Sequence, residues 1–179
     1  IYPPNMFSMW TGYSAAPLKT LEIGGGNIRF GLNNQKDSIE TVVLGDGVTE
    51  IPNHFAAGCT KLTSVSLPDA LTSVPVYAFN GCSSLKKIGI SENSKLQYIG
   101  NGAFGNSALT QIYIPKNVIS IGQGAFNITP ITVFDMSDVL AESMTVGLYA
   151  INNWFAPDAS NVPAWKNDFK YIYVSNSGA

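Results

Sequence analysis

The apolar residues of this chain recur in the same order about every 23 residues, as in 82 − 59 = 23 between its two cysteines. The repeated unit is Ile/Val-x3-Ala-Phe-x2-Cys-x2-Leu-x2-Ile-x-Ile-Pro, and copies of it occupy residues 51–68, 74–90, 99–115 and 121–136. A repeat of this length is typical of a solenoid, in which each coil buries its apolar edge only against its neighbours.

The two halves of the unit predict different structures. The Leu-x2-Ile-x-Ile half alternates apolar and polar residues, which indicates a β-strand, and stacked coils would pair these strands into one parallel sheet. The other half contains Gly, Asn and Pro around a large aromatic residue, and it predicts a short strand or 3₁₀ turn followed by a loop. We therefore expect a mainly β repeat solenoid in which Phe79, Phe104 and Phe126 stack as one core column.

The unit degenerates toward both ends of the chain. We expect one domain over residues 1–179, with degenerate N-terminal repeats and a cap in 1–37, regular repeats in 38–136, and a C-terminal insertion and cap in 137–179. Aromatic residues near the ends would cap the open core or, in the alternative interpretation, stack on sugars through Trp10 or Trp154. These aromatic residues are Tyr2, Phe7, Trp10, Tyr13, Trp154, Phe155 and Trp165.

The chain contains few charges. Charged residues make up 12% of it, about half the usual ~25%, and the net charge is -2. Because a nucleic-acid site needs clustered Lys and Arg, we expect no nucleic-acid partner. Residues 96–115 lack any charge, but their glycines and amides follow the repeat, so we expect a buried coil rather than a membrane span. The chain begins with Ile1 rather than Met, and we expect an upstream segment to have been removed.

The residues that could support chemistry are few. The single histidine, His54, lies in the loop half of a copy, and a pair with Cys59 would need an exposed thiol. Cys59 and Cys82 hold the same core position in adjacent copies. We favour two free buried thiols there, although stacked coils would also bring them within reach of a disulfide. With one His and no closely spaced Cys pair, we expect no zinc site.

Two further motifs have ordinary explanations. The glycine run 24–26 precedes neither a Gly-Lys-Ser/Thr sequence nor a helix start, so it predicts a turn rather than a phosphate site. Glu22 and Asp135 point outward but stand five coils and about 24 Å apart, whereas a glycosidase pair needs roughly 5 to 9.5 Å. Asp138 is interpreted as an edge or cap residue. We therefore expect neither an enzyme nor a cofactor.

In the third and fourth copies, the first half of the unit reads Ile-Gly-x2-Ala-Phe. This motif resembles the leucine-rich repeat of BspA-like bacterial surface proteins over residues 38–136, and more loosely over 1–37 and 169–174. The resemblance implies a right-handed superhelix with a parallel sheet on one face and short strands, 3₁₀ turns and loops on the other. It also implies a secreted or cell-surface protein of host-associated bacteria that adheres to proteins or glycans. One way to hold such a protein at the cell surface is a lipid anchor on an upstream segment. The motif residues are Ile99, Gly100, Ala103, Phe104, Ile121, Gly122, Ala125 and Phe126.

Strand residues that point away from the core form two neighbouring rows on the predicted sheet. Hydroxyls and amides dominate these rows, and tyrosines join them toward the C-terminal end. Such a surface suits a protein loop or a sugar face, although scattered Tyr and Ser are also ordinary on a β solenoid. The candidate binding residues are Ser64, Ser66, Lys87, Gln111, Tyr113, Asp135, Tyr171 and Tyr173.

The favoured function hypothesis is a monomeric recognition module at the cell exterior that binds a protein partner through the exposed sheet. The alternative is a glycan-binding module of a surface nutrient-uptake system that uses exposed aromatic residues. A structural spacer within a longer surface protein is the third hypothesis.

Overall fold

The described part of the chain is a stack of parallel β coils without an α-helix. The computed structural model describes residues 17–136, 138, 145–146, 150 and 171–174. No helix within these ranges is long and apolar enough to cross a membrane. The aromatic residues predicted to cap the two ends of the solenoid lie outside the described residues.

Most coils contribute one strand on each side of the core, as the two halves of the repeat predict. The first half of the unit forms two-residue strands, and the second half forms strands of three or more residues. The elements in chain order are β1 (Thr20–Asn27), a 3₁₀ helix (Asn33–Gln35), β2 (Thr41–Glu50), β3 (Ser64–Ser66), β4 (Ser73–Val74), β5 (Lys87–Gly89), β6 (Tyr98–Ile99), β7 (Gln111–Tyr113), β8 (Ser120–Ile121), β9 (Val133–Met136), β10 (Thr145–Val146) and β11 (Tyr171–Val174).

The predicted parallel sheet is confirmed, but it is divided in two. One sheet has the order β1-β2-β3-β5, and the equivalent strands of later coils form a separate sheet, β7-β9-β11. On the opposite side, β4, β6, β8 and β10 form a third parallel sheet. The division coincides with a longer coil of 114 − 90 = 24 residues, which includes a turn closed by a hydrogen bond from Ser94 N–H to the Ser91 carbonyl.

The glycine run 24–26 lies inside β1 rather than in the predicted turn, so that prediction is wrong. Gly25 pairs with Gly47 of β2 between two register shifts, and a Cβ added at Gly25 would lie 3.0 Å from the Gly47 Cα. Because the two backbones approach so closely, a larger residue at this contact would force one of them to shift.

The aromatic column predicted in the core is confirmed. Phe79, Phe104 and Phe126 are fully buried, and consecutive ring centroids lie 5.5 and 5.4 Å apart with interplanar angles of 3° and 13°. The perpendicular ring of Phe55 closes the stack at one end and meets Phe79 at 85°. Phe134 lies outside the column, on β9 beside Ile112 of β7, and its ring meets Phe126 at 84°.

The perpendicular ring of Phe55 follows from a swapped residue order. Phe55-Ala56 stands where the next coil has Ala78-Phe79. The backbone keeps its register, because Ala56 N–H donates to the Ala78 carbonyl at 2.7 Å just as Phe79 N–H donates to the Ala103 carbonyl at 2.8 Å. Phe55 therefore enters the core one position early and reaches the column edge-on.

The cysteines form a second core position that repeats between coils. Cys59 and Cys82 are both buried and free, as expected, and the Cys82 thiol donates to the Ala56 carbonyl at 3.1 Å. The following coil has Ser107 here, and its Oγ is the one buried side-chain oxygen or nitrogen of the described residues without a hydrogen-bond partner. An unpaired buried hydroxyl costs about 1–3 kcal/mol, so this position suits Cys better than Ser.

The glycines of the Ile-Gly motif allow the coils to approach each other. A Cβ at Gly100 would lie 2.8 Å from the Val76 nitrogen, and a Cβ at Gly122 would lie 2.7 Å from the Gly100 carbonyl carbon. Both contacts are to the backbone of the preceding coil, which cannot move aside as the end of a flexible side chain can. The motif is therefore a requirement of coil stacking.

The repeat continues beyond residue 136, within the segment predicted as an insertion and cap. Strand β10 pairs in parallel with β8, and Phe126 N–H donates to the carbonyl of Ala150, which is buried. The sequence from Val146 to Ala150 reads Val-Gly-x2-Ala, so it keeps the motif but lacks the following Phe. Because the repeat unit is defined by its Ala-Phe pair, the sequence did not predict a further copy here.

Truncation of a central ring tests the phenylalanine column. We expect Phe104→Ala to lower the free energy of unfolding by about 3–5 kcal/mol, because two stacked neighbours lose their contact and a cavity remains. Chemical denaturation followed by circular dichroism measures the change. The control, Tyr98→Ala, truncates a ring that is 46% exposed and should change stability by only about 0.5 kcal/mol. Equal losses in the two variants would contradict the column.

A methyl group at Gly122 tests the close approach of the coils. We expect Gly122→Ala to destabilise the protein by about 1–3 kcal/mol, because the preceding backbone must shift. Gly24→Ala is the matched control, since no heavy atom lies within 4 Å of a Cβ built there. Thermal unfolding of both variants gives the comparison, and a neutral Gly122→Ala would refute the explanation.

Candidate binding surface

The strand register aligns the two predicted rows of outward-pointing residues. Each residue of a row lies beside its equivalent in the next paired coil, and we call the two rows together the strand face. In the first sheet, the rows are Thr20, Thr41, Ser64, Lys87 and Glu22, Val43, Ser66, Gly89. In the sheet β7-β9-β11, they are Gln111, Val133, Tyr171 and Tyr113, Asp135, Tyr173.

The predicted site residues fall into two groups on this face, one in each sheet. The first group is Ser64, Ser66 and Lys87 on β3 and β5, and the second is Gln111, Tyr113, Asp135, Tyr171 and Tyr173 on β7, β9 and β11. Of these residues, Ser66, Lys87 and Gln111 are exposed.

Glu22 on β1 and Asp135 on β9 stand in separate sheets, so the structure does not pair these carboxylates.

A hydrogen bond fixes the side chain of Tyr113, which belongs to the second group. Its hydroxyl donates to Oδ2 of Asp138 at 2.8 Å. Partial burial, followed by the hydrogen bond and the negative charge of Asp138, raises the pKa of Tyr113 to about 12. The phenol therefore stays protonated at neutral pH, and Asp138 holds its ring in one orientation.

A shallow cleft of about 330 Å³ adjoins the strand face where the strands of the first sheet end. Ser66 and Gly89 line it together with Asp46, Asp69 and Ser91. The Ser91 hydroxyl donates to Asp69 Oδ1 at 2.6 Å and fixes that carboxylate. The cleft adds a concave edge to an otherwise ribbed surface.

The cysteines and the histidine are unsuited to nucleophilic chemistry. Burial, with a smaller contribution from Asp37, raises the pKa of Cys59 to about 11, and burial raises the pKa of Cys82 to about 12. Neither thiol ionises near neutral pH, which a nucleophile requires. His54 is exposed and stacks on Tyr77 instead. Among the described residues, no three His, Cys, Asp or Glu side chains are placed to hold a metal ion.

The loop side of the solenoid has its own repeated geometry. The arc between the two strand positions holds two residues per regular coil in the left-handed region of backbone conformation, where Gly and Asn are favoured. At the first position they are His54, Tyr77, Gly102 and Gly124, with φ of 57°, 53°, 59° and 61°. At the second position they are Gly58, Gly81, Asn106 and Ile128, with φ of 74°, 73°, 56° and 55°.

This geometry opens a second cleft, which the sequence analysis missed. The cleft has a volume of about 380 Å³, and its floor is glycine backbone. The left-handed positions fall four residues apart in each regular copy, but residues as different as Tyr77, Gly102 and Ile128 occupy them, so the sequence offered no consistent clue. We call the cleft the amide trough, and its side chains are those of Tyr77, Asn80, Asn101, Asn106, Gln123 and Asn127.

Parallel coils, a stacked phenylalanine core and one ribbed strand face together define a leucine-rich repeat solenoid. A family model described as BspA type Leucine rich repeat region matches residues 28–153 in 6 copies. The chain belongs to the BspA-type leucine-rich repeat family. The resemblance of the Ile-Gly-x2-Ala-Phe motif is therefore confirmed.

Solved structures with the same fold come from several bacteria. A leucine-rich repeat protein from Bacteroides ovatus is 18% identical with a TM-score of 0.57, and the match covers 86% of this chain and 40% of that one. A leucine-rich repeat protein from Eubacterium ventriosum is 18% identical with a TM-score of 0.56, over 72% of this chain and 33% of that one. A leucine rich cell surface protein from Faecalibacterium prausnitzii is 28% identical with a TM-score of 0.54, over 67% and 32%.

The matched region spans only 32% to 40% of the length of these structures. Among curated protein sequences, none is significantly similar to this chain. The two structures at 18% identity bear on the fold alone.

Titration of the tyrosines tests the contact between Tyr113 and Asp138. A raised folded-state pKa means that the stabilisation is present below the ordinary tyrosine pKa of about 10, and is lost as the pH rises through about 12. Asp138→Asn removes the negative charge, so we expect the pKa of Tyr113 to fall, but not fully to 10 because its burial remains. Phenolate absorbance, with Tyr113→Phe as the reference, measures this pKa. An unchanged titration in Asp138→Asn would contradict the assignment.

Proposed function

We propose that this chain is a recognition module of a bacterial cell-surface protein and binds a protein partner through the strand face. Membership of the BspA-type family supports recognition by a solenoid surface. The description of the Faecalibacterium prausnitzii relative as a leucine rich cell surface protein supports a location at the cell exterior. Because the matched region covers 32% of that relative, the proposed module would act within a longer chain.

The strand register is the observation that carries this proposal. Ser64 pairs with Lys87 and Ser66 with Gly89, so successive outward side chains lie about 4.8 Å apart on hydrogen-bonded backbones. A surface held in place before binding loses less conformational entropy when the partner docks. Tyr113 adds an aromatic ring that Asp138 already orients.

The composition of the strand face suits a protein partner. The cores of protein interfaces are depleted in charge and enriched in Tyr, and the strand face has Lys87, Glu22 and Asp135 as its charged side chains among neutral ones. The adjoining cleft beside Ser66 gives a protruding loop of the partner a place to enter. The alternative of glycan stacking at the ends depends on Trp10 and Trp154, which lie outside the described residues.

A charge placed in the middle of the strand face tests the proposal. Gln111→Arg adds a long cationic side chain at an exposed strand position, and it should weaken binding at least about tenfold by obstructing the docked surface. Binding is measured by biolayer interferometry against purified extracellular matrix, serum and secreted bacterial proteins. Ser66→Arg, at the edge of the cleft, should weaken binding to the same partner.

Gln97→Arg is the matched control, since it makes the same change at an exposed residue beside β6 on the opposite sheet. We expect it to bind as the unmodified protein does. Equal losses in Gln97→Arg and Gln111→Arg, or no partner among the proteins assayed, would count against the strand face as the site.

A further inference from the structure

We infer that the amide trough is a second binding site, specific for a neutral glycan and separate from the strand face. It lies on the arc between the strands, so it does not depend on the proposed protein-binding function.

The trough exists because a surface column of side chains ends there. His54 and Tyr77 hold the first left-handed position in their coils and stack with ring centroids 5.2 Å apart. The next two coils have Gly102 and Gly124 at this position. The Tyr77 ring occupies the space that a side chain at residue 102 would need, whereas the one described atom within 4 Å of a Cβ built at Gly124 is the Asn127 Cβ at 3.7 Å. The result is a trough with a backbone floor and a tyrosine ring at one end.

Hydrogen bonds between coils hold the walls of the trough in place. The Asn80 side-chain amide donates to the Gly102 carbonyl at 3.1 Å. The Asn101 side-chain carbonyl accepts from Gln123 N–H at 2.9 Å. Both side chains are therefore oriented before any ligand arrives, which lowers the entropy cost of binding.

Other carboxamides along the trough remain available. The side chains of Asn106, Gln123 and Asn127 line it and make no hydrogen bond to another described residue. A carboxamide offers one acceptor oxygen and two donor hydrogens, whereas a sugar hydroxyl both donates and accepts. Adjacent hydroxyls of a sugar can therefore satisfy the two ends of one amide.

The tyrosine and the absence of charge narrow the ligand class. Tyr77 is 42% exposed; because its ring stacks on His54 and lies against Gly102, it offers a sugar its hydroxyl, which both donates and accepts hydrogen bonds. Every described side chain that lines the trough is uncharged. A sulfated or sialylated chain, or a phosphate, would find no counter-charge there, so the geometry favours a neutral sugar chain.

An extended peptide is the competing occupant, since its backbone also bonds to carboxamides. Peptide recognition on a sheet or groove draws its specificity from pockets for alternate side chains. The described lining of the trough offers no such pockets, because it consists of amides, glycine backbone and one tyrosine.

A glycan array with neutral hexose and N-acetylhexosamine chains, beside sialylated and sulfated chains, tests the inference. The unmodified protein should bind neutral chains. The double variant Asn106→Gly and Gln123→Ala removes two free amides, and glycine is compatible with residue 106 because Gly58 and Gly81 hold the equivalent position. We expect it to weaken binding at least about tenfold. Gly124→Asn adds a side chain to the floor of the trough, and Asn tolerates the left-handed backbone conformation at this position. This variant should weaken binding as much.

The matched control is Asn93→Gly with Gln97→Ala, the same changes at exposed residues outside the trough, and it should bind normally. Gln111→Arg on the strand face should also leave glycan binding unchanged, so failure of one site is distinguishable from failure of the other. Binding to charged chains alone, binding to no neutral chain, or equal binding by the trough variants would overturn the inference. Loss of binding to a peptide array in those variants, without glycan binding, would assign the trough to peptides instead.

Discussion

Backbone hydrogen bonds from each coil to the next are the constraint on which this solenoid depends. Phe79 bonds to Ala103 and Phe104 to Ala125, so the same position of the unit makes the same bond in successive coils. Equivalent residues are then held one strand spacing apart, and each side chain must fit its own counterpart above and below. A phenylalanine stacks on a phenylalanine, and a glycine meets backbone. A single coil has neither neighbour, so its conformation is stable only within the array.

The features that the sequence predicted are those that burial enforces. Phe79, Phe104 and Phe126 had to share a column, because their spacing matches the coil length and each is too large to be placed elsewhere. The outward rows followed from the period of two along each strand. The pairing of β10 with β8 and the contact of Ala150 with Phe126 could not be predicted, because this part of the sequence lacks the aromatic residue of the repeat. The amide trough was missed because backbone conformation creates it, and residues as different as Tyr77 and Gly102 share one left-handed position.

The strand face and the amide trough arise from the same stacking but differ in kind. On the strand face the side chains continue from coil to coil within each sheet, whereas in the trough two successive described coils have glycine, Gly102 and Gly124, in place of a side chain. Both surfaces contain few charges, in keeping with a charged fraction of 12%. Contacts made through neutral hydroxyls and amides are little screened by salt, so recognition at either surface depends on shape and hydrogen-bond geometry more than on ionic strength.

The perpendicular ring of Phe55 at one end of the aromatic column limits how such an array can lengthen. Inside the stack, Phe104 presents a flat face to each neighbour, so a duplicated coil inserted there would meet rings that accept it. Beside Phe55, a new ring would meet an edge and would need a different packing. Gene duplications that extend the array are therefore best tolerated between interior coils, and the terminal coils are free to diverge in sequence.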